Sequence, residues 1–257
     1  MRVALVGKGG VGKSAIAGTF ARLLARRGLP VLAVDSDPMP GLAYCLGMTV
    51  DDAPIPDDAV RERAEGEDGP RFRLRDGLTA EAALEAYSVT GPDGVRFLQF
   101  GKSRSGADHF RSQFAFRQIV ADLPAEDWNL VGDLPGGTRQ PFFGWGGYAD
   151  TVLVVVEPTA KALLTGRRLA RLALAKQAPK RIVAVVNRVR DPRDADDVTD
   201  RTGLEVIGCV PWDEAFAAAE RDGRAPVDAA PGSPAVAAIA RLLDDVLLDD
   251  VERRRVS

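Results

Sequence analysis

Near the start of this 257-residue chain, eight residues read Gly7-Lys8-Gly9-Gly10-Val11-Gly12-Lys13-Ser14. The spacing is G-x-x-x-x-G-K-S, and each residue type has a chemical reason to be there. Glycines accept positive φ and let the backbone approach a ligand closely. The N–H groups of Gly9, Gly10, Val11 and Gly12, continuing through Lys13, Ser14 and Ala15, can then converge on phosphate oxygens. A helix opening after Gly12 would add its positive dipole end. In such a loop Lys13 holds the β- and γ-phosphates and the Ser14 hydroxyl ligates Mg²⁺. The chain has only six lysines against many arginines (Lys8, Lys13, Lys102, Lys161, Lys176 and Lys180), and two of them fall in this loop. Where Arg is the default cation, a Lys marks a place that needs a compact ammonium.

A loop of this kind works only between a strand and a helix, and the sequence supplies both. Strand-like apolar runs occupy residues 2–6, 31–34, 95–99, 129–132, 151–156, 181–186 and 205–210, and helical periodicities occupy 13–27, 108–122, 161–177 and 234–251. Near-continuous Val/Ile/Leu strands alternating with helices predict an α/β fold of three layers. With the Gly7–Ser14 loop at its centre this resembles the P-loop NTPase fold, with a mainly parallel sheet expected to be covered by helices on both faces. Residues 1–257 are expected to form one domain. The least regular stretch, about 51–94, reads as an insertion that is either flexible or a small subdomain with a short helix at 79–87.

Net charge is −3 and pI about 5.4, which disfavours a surface that coats nucleic acid. No apolar run reaches the roughly 18 residues of a membrane span. The first residues lack the pattern of a secretory signal, and Cys45 and Cys209 offer no disulfide framework. A cytoplasmic protein is the expectation.

The second lysine narrows the reading. GKGGVGKS resembles the deviant Walker A loop of the MinD/ParA superfamily, in which the extra lysine, here Lys8, reaches across a dimer interface to the partner's nucleotide. Asp35-Ser36-Asp37-Pro38 closes the second strand and resembles that family's switch I. The resemblance makes Asp37 the carboxylate near the γ-phosphate that positions the attacking water and contacts the Mg²⁺ sphere. Asp133-Leu134-Pro135-Gly136-Gly137 resembles switch II, with Asp133 supporting Mg²⁺ and Gly137 facing the γ-phosphate. Asn187 sits where the family places an adenine-recognising asparagine, and Pro211 where backbone lines the base. An Asn amide can donate to one adenine acceptor and accept from its exocyclic amine, which favours ATP or ADP over guanine nucleotides. Taken singly, Asp37 also reads as a helix cap and Asn187 as a turn residue.

Most of the chain is similar to the CooC-type branch, accessory ATPases for nickel insertion into carbon monoxide dehydrogenase. The segment 61–101 resembles that branch's insert, as do Val155–Thr159 and Arg167-Arg168-Leu169. One departure matters. The branch carries a metal-binding C-x-C, and here the matching stretch is Gly106-Ala107-Asp108-His109. The thiolates that favour a soft metal are gone. Paired Asp108 and His109 from two subunits would make a harder N/O site, while a helix start without a ligand role is the plainer reading. Iron–sulfur carrier ATPases of the Mrp type share the Asp-Leu-Pro-Gly-Gly run, but their cysteine pair is also missing. The two cysteines present read as small buried hydrophobes.

Three further stretches invite function. Nine basic residues and no acidic one lie between Glu157 and Asp191, which suits DNA, an acidic protein, or a plain solvated face. The C-terminal helix carries Asp244, Asp245, Asp249, Asp250 and Glu252, so it reads as core-packing rather than membrane-bound. Phe142, Phe143, Trp145 and Tyr148 follow switch II among glycines and suggest either a partner site that depends on nucleotide or a loop packed on the core. The expected function is an ATPase switch that dimerises with Mg-ATP and assists maturation, assembly or metal or cofactor loading of a client protein such as a metalloenzyme. The rival readings are a ParA/MinD-type positioning ATPase and a small-molecule ligase of the dethiobiotin-synthetase kind. Fold analogy alone does not separate them.

Overall fold

The computed structural model describes residues 1–37, 41–49, 55–101, 106–138, 142, 144–176 and 178–256, with the backbone alone at 106–110, 254 and 256. A mostly parallel sheet of eight strands runs through the molecule. Its order is β10 (Val206–Pro211), β9 (Arg181–Val189), β8 (Thr151–Val156), β1 (Arg2–Gly7), β7 (Asn129–Asp133), β2 (Val31–Asp35), β6 (Arg96–Gln99) and β5 (Val89–Thr90). Every pairing is parallel except β5 with β6, which closes that edge antiparallel. All seven strand-like runs of the sequence are in this sheet, and the two-residue β5 was too short to show a pattern.

Strand β1 lies at the centre between β7 and β8, and Val3, Ala4, Leu5 and Val6 are fully buried. The chain leaves β1 through α1 (Lys13–Arg26), passes over β7 and enters β2. It leaves β8 through α5 (Ala160–Lys176) in the opposite direction along the sheet. Right-handed crossovers in opposite directions put their helices on opposite faces. On one face α1 packs with α9 (Pro234–Val256), and on the other α5 packs with α6 (Asp194–Thr202). Val236, Ile239, Leu242, Leu243 and Val246 of α9 are buried, as a core-packing helix requires.

The remaining elements are smaller. In the described part of 51–94, β3 (Val60–Glu62) and β4 (Phe72–Leu74) form an antiparallel hairpin, and α3 (Ala80–Tyr87) is capped by the Thr79 hydroxyl, which accepts from the Ala82 N–H. Hairpin and helix pack on α4 (Gly106–Asp122), and Ile55, Ala59, Leu74 and Ala83 join the main core. Of the two readings of this stretch, the small subdomain with a short helix is the one found: it is anchored on the core by these residues, while 62–71 are exposed. Short helices α2 (Leu42–Leu46), α7 (Glu214–Arg221) and α8 (Pro226–Ala229) complete the fold. Arg22 of α1 ties several of these together. It is 2% exposed and donates to Asp93 at 2.6 Å, to the Leu46 carbonyl at 2.7 Å and to Asp228 at 3.1 Å.

Cys45 is buried against Gly18, but Cys209 is exposed on edge strand β10. The aromatic run after β7 packs inward at Trp145, whose ring lies 5.3 Å from Phe100 and 5.9 Å from Phe116. Phe142 and Tyr148 are half-buried against the same core, and Phe143 lies outside the described residues. Of the two readings of this run, the packed loop is the one found.

Candidate active site

Because the long strands are parallel, their carboxyl ends meet at one edge of the sheet, where open α/β sheets bind ligands. Gly7 ends β1, Asp35 ends β2, Asp133 ends β7, and Pro211 ends β10 beside Asn187 of β9. The loop from Gly7 to Gly12 occupies the middle. Gly7 has φ 150°, and a Cβ there would lie 2.4 Å from the Val155 carbonyl oxygen. Gly12 has φ 87° and caps α1, a helix with no side-chain cap and no acidic residue in its first turn. Its first N–H groups are left for an anion. Lys13 is 8% exposed, and its Nζ donates across the loop to the Lys8 carbonyl at 3.4 Å. Lys8 lies on the outer side of the loop, where its Nζ donates to the Gly9 carbonyl at 3.2 Å.

Below the loop, the Ser14 hydroxyl donates to Asp133 Oδ2, and the buried Asp133 Oδ1 has no hydrogen-bond partner among the described residues. Asp35, paired with Asp133 in register and fully buried, accepts the N–H groups of Asp37 and Leu42 at 3.0 Å each. It thereby ties both Asp37 and Leu42, the first residue of α2, to the end of β2. Burial, then the Asp133 charge, raises the Asp35 carboxyl pKa. Burial also raises that of Asp133, against the Ser14 hydrogen bond and the Lys13 charge. Asp37 adds its negative charge to both. So much negative charge around a single buried lysine, with an oxygen lacking a partner, fits a divalent cation. Among the described residues no cluster of three or more His, Cys, Asp or Glu could hold a metal alone. That suits Mg²⁺, which takes one or two protein oxygens and completes its shell from phosphates and water.

Switch II lies directly on the loop. The Leu134 N–H donates to the Leu5 carbonyl at 3.1 Å and the Gly137 N–H to the Gly7 carbonyl at 3.0 Å. A Cβ on Gly136 would lie 2.8 Å from the Gly9 nitrogen, so only glycine permits this approach. The Ser36 N–H donates to the Asp133 carbonyl at 3.0 Å and joins the two switches.

Asn187 is 5% exposed, and its Nδ2 donates to the Val11 carbonyl at 2.8 Å. The sequence reading gave this side chain to the base, whereas here one of its amide hydrogens holds the phosphate loop. Pro211 is in register with Val189, next to Asn187 across the β9–β10 pair. The sequence reading missed Arg188. It has φ 60°, unusual for a residue with a side chain, and its guanidinium donates to Glu157 and, at 3.3 Å, to the Gly10 carbonyl. No local sequence signal marks this link between β8, β9 and the loop. Asp35 was visible in the Asp-Ser-Asp run, but its role as a double acceptor was not. Gly9, Gly10, Val11, Gly12, Ser14 and Ala15 all lie at the loop–α1 junction as expected. The side chains of Asp108 and His109 lie outside the described residues.

Residues 3–227 match the family described as CbiA, the CobQ/CobB/MinD/ParA nucleotide binding domain. An uncharacterized ATP-binding protein of Methanocaldococcus jannaschii is 30% identical over 225 residues, covering 83% of this chain and 86% of its own length. The carbon monoxide dehydrogenase accessory protein CooC of Rhodospirillum rubrum is 29% identical over 265 residues, covering 96% and 97%. Among solved structures, the septum site-determining protein MinD of Pyrococcus horikoshii, complexed with Mg-ADP, superposes with a TM-score of 0.70 at 19% identity, covering 95% of this chain and 94% of that one.

Proposed function

This chain belongs to the CobQ/CobB/MinD/ParA nucleotide-binding family and is a P-loop ATPase, and we propose that it uses ATP to run a dimerisation switch serving a partner protein. The observation that carries the proposal is the Ser14 hydrogen bond to buried Asp133, whose Oδ1 is unpartnered among the described residues, beside Lys13 and a switch II loop seated on the phosphate loop. In this reading Lys13 and the N–H groups from Gly9 to Ala15 hold the phosphates. Ser14 and Asp133 hold Mg²⁺, with Asp37 beside it. Mg²⁺ when bound neutralises charge on the β- and γ-phosphate oxygens. Asp37, fixed by its N–H bond to Asp35, orients the attacking water. The Gly137 N–H, now donating to Gly7, would turn to the γ-phosphate, so that nucleotide state and switch II position are linked. Asn187 steadies the loop from below and presents its other amide atoms to adenine, with the Pro211 backbone along the base.

Lys8 supports the dimer half of the proposal. Within its own chain its Nζ donates to its neighbour's exposed carbonyl, a bond of little strength, so it is available to reach a second copy. A cation supplied across a dimer to the transferring phosphoryl group stabilises charge that grows in the transition state. The resemblance to the CooC accessory protein over 96% of the chain supports maturation or assembly of a client, such as a metalloenzyme, as the output.

Light-scattering mass after size exclusion, in apo, Mg-ADP and Mg-ATP conditions, tests the proposal, with Asp37→Ala to slow hydrolysis and Lys8→Ala to remove the crossing cation. A monomer that becomes a dimer in Mg-ATP, and fails to do so in Lys8→Ala while still binding nucleotide, is the expected result. No nucleotide-dependent dimer would refute it and leave the small-molecule ligase reading in its place.

A further inference from the structure

The nine basic residues between Glu157 and Asp191 do not form one surface. Lys180 pairs with Asp150, Arg181 with Glu205 and Asp249, and Arg188 with Glu157. Arg190 stacks over the Trp212 ring at 4.4 Å. On α5, by contrast, Lys161, Arg167, Arg168 and Arg171 are exposed and have no ion-pair partner among the described residues. The same helix buries Ala162, Leu163, Gly166, Leu169, Ala170 and Ala173 against the sheet and α6, so its other face is fixed outward.

That outward face also carries leucines. Leu164 is 49% exposed and Leu174 is 80% exposed, the latter the largest exposure among the big apolar side chains described. Residues 164, 167, 171 and 174 are spaced three, four and three apart, so they form one stripe along the helix with the repeat of a two-helix seam. The stripe is the α5 wall of a groove of about 630 Å³ between α5 and α6, and the α6 side contributes Asp200, Arg201 and Thr202, followed by Gly203. Two exposed leucines bracketing two arginines are a costly surface to leave in water, and the cationic excess along the groove says what would cover it.

We propose that the α5–α6 groove docks an acidic amphipathic helix of a partner protein, its apolar residues against Leu164 and Leu174 and its carboxylates over Arg167, Arg168 and Arg171. A helix about 10 Å across matches a single stripe with a groove beside it. Duplex DNA fits worse. Asp196, Asp197 and Asp200 are exposed on α6, where they would repel a second row of phosphates, and the leucines would gain nothing from a phosphate backbone. A discrete helix can place carboxylates over α5 alone and keep them from α6. This inference concerns a surface away from the phosphate loop and does not rest on the dimer switch.

The probes are three labelled ligands read by fluorescence anisotropy on the full-length protein: a stapled three-heptad peptide with Leu at its seam and Glu beside it, the same peptide with Lys for Glu, and a duplex DNA of about 20 base pairs. The Glu peptide should bind saturably in the micromolar range, at least about tenfold tighter than the Lys peptide or the DNA. Binding should weaken by about tenfold or more in Arg167→Glu/Arg171→Glu and in Leu164→Ser/Leu174→Ser, with ATP turnover unchanged to show that both variants fold. No saturable binding of the Glu peptide up to about 100 µM, or binding indifferent to either variant, overturns the proposal. DNA binding lost in Arg167→Glu/Arg171→Glu would reassign the face to nucleic acid. Concentration-dependent self-association lost in Leu164→Ser/Leu174→Ser would reassign it to a second copy of this chain.

Discussion

Replacing Asn187 by Ala removes a buried donor from under the phosphate loop and leaves the Val11 carbonyl without the partner it has at 2.8 Å. Orphaning a buried backbone acceptor costs about 1–3 kcal/mol, so about 2 kcal/mol is expected in the absence of any nucleotide. For a chain of this size that corresponds to a fall in Tm of about 4–8 °C. Gly12 gives an internal check. A Cβ there would lie 2.4 Å from Asn187 Nδ2, and the residue has φ 87°. Gly12→Ala should therefore lose the same hydrogen bond and add about 1 kcal/mol of backbone strain, about 3 kcal/mol together. In the double variant the clash has no partner, and only the strain adds to the loss from Asn187→Ala. The double variant should then cost about 3 kcal/mol rather than about 5, a shortfall of about 2 kcal/mol that a double-mutant cycle reads directly. Urea unfolding of the four apo proteins measures it. Affinities for ATP and GTP should both fall in Asn187→Ala, since the loop that both nucleotides need has lost its support. An apo Asn187→Ala protein as stable as the parent, with affinity lost for ATP alone, would refute the loop-support argument and leave Asn187 as a reader of the base.

Two other expectations concern charge. Asp35 and Asp133 have carboxyl pKa values raised by burial, so the folded protein binds more protons than the unfolded chain once pH passes the ordinary value of 3.8. Apo stability should fall as pH rises from there towards about 8, where Asp35 is placed. Asp133→Asn should flatten that slope and abolish the extra stabilisation that Mg²⁺ gives in the presence of ADP. A slope unchanged in Asp133→Asn, followed by thermal melts across pH, would contradict the assignment. Arg22→Ala leaves the Leu46 carbonyl unpaired and takes one cation from Asp93 and Asp228, which keep Arg26. With that partial compensation the cost should sit near the low end for a broken buried pair, about 3 kcal/mol, and a loss under about 1 kcal/mol in urea unfolding would show the network to be solvated instead.

The parts of this protein that were legible in its sequence are those where chemistry depends on short-range order. A glycine-rich run between an apolar strand and a periodic helix can do little else, so the phosphate loop, Lys13 and Ser14 were visible at once, and the long strands announced themselves through unbroken Val/Ile/Leu runs. The two readings of the aromatic run after β7 show where such reasoning stops. Nothing local distinguishes a displayed Trp145 from one packed between Phe100 and Phe116, because the choice is made by residues 29 and 45 positions away. The same is true of 51–94. Its polar composition leaves a flexible insertion and a small subdomain with a short helix both open, and contacts of Ile55, Ala59, Leu74 and Ala83 with the core decide for the second.

The sequence by itself determined the class of ligand, the layered α/β architecture and the identity of the cation-bearing loop, since these follow from residue type and from spacing within a few residues. Tertiary structure alone decided which groups are used and how. It set Asn187 against Val11, 176 positions away, and Arg188 against Glu157 and Gly10, and it left Asp133 Oδ1 buried and unpartnered. It also divided nine basic residues into paired ones and an open stripe on α5. Each of these outcomes depends on strand order, which sequence periodicity does not encode: the pattern that makes a strand apolar is the same whichever neighbour the strand takes.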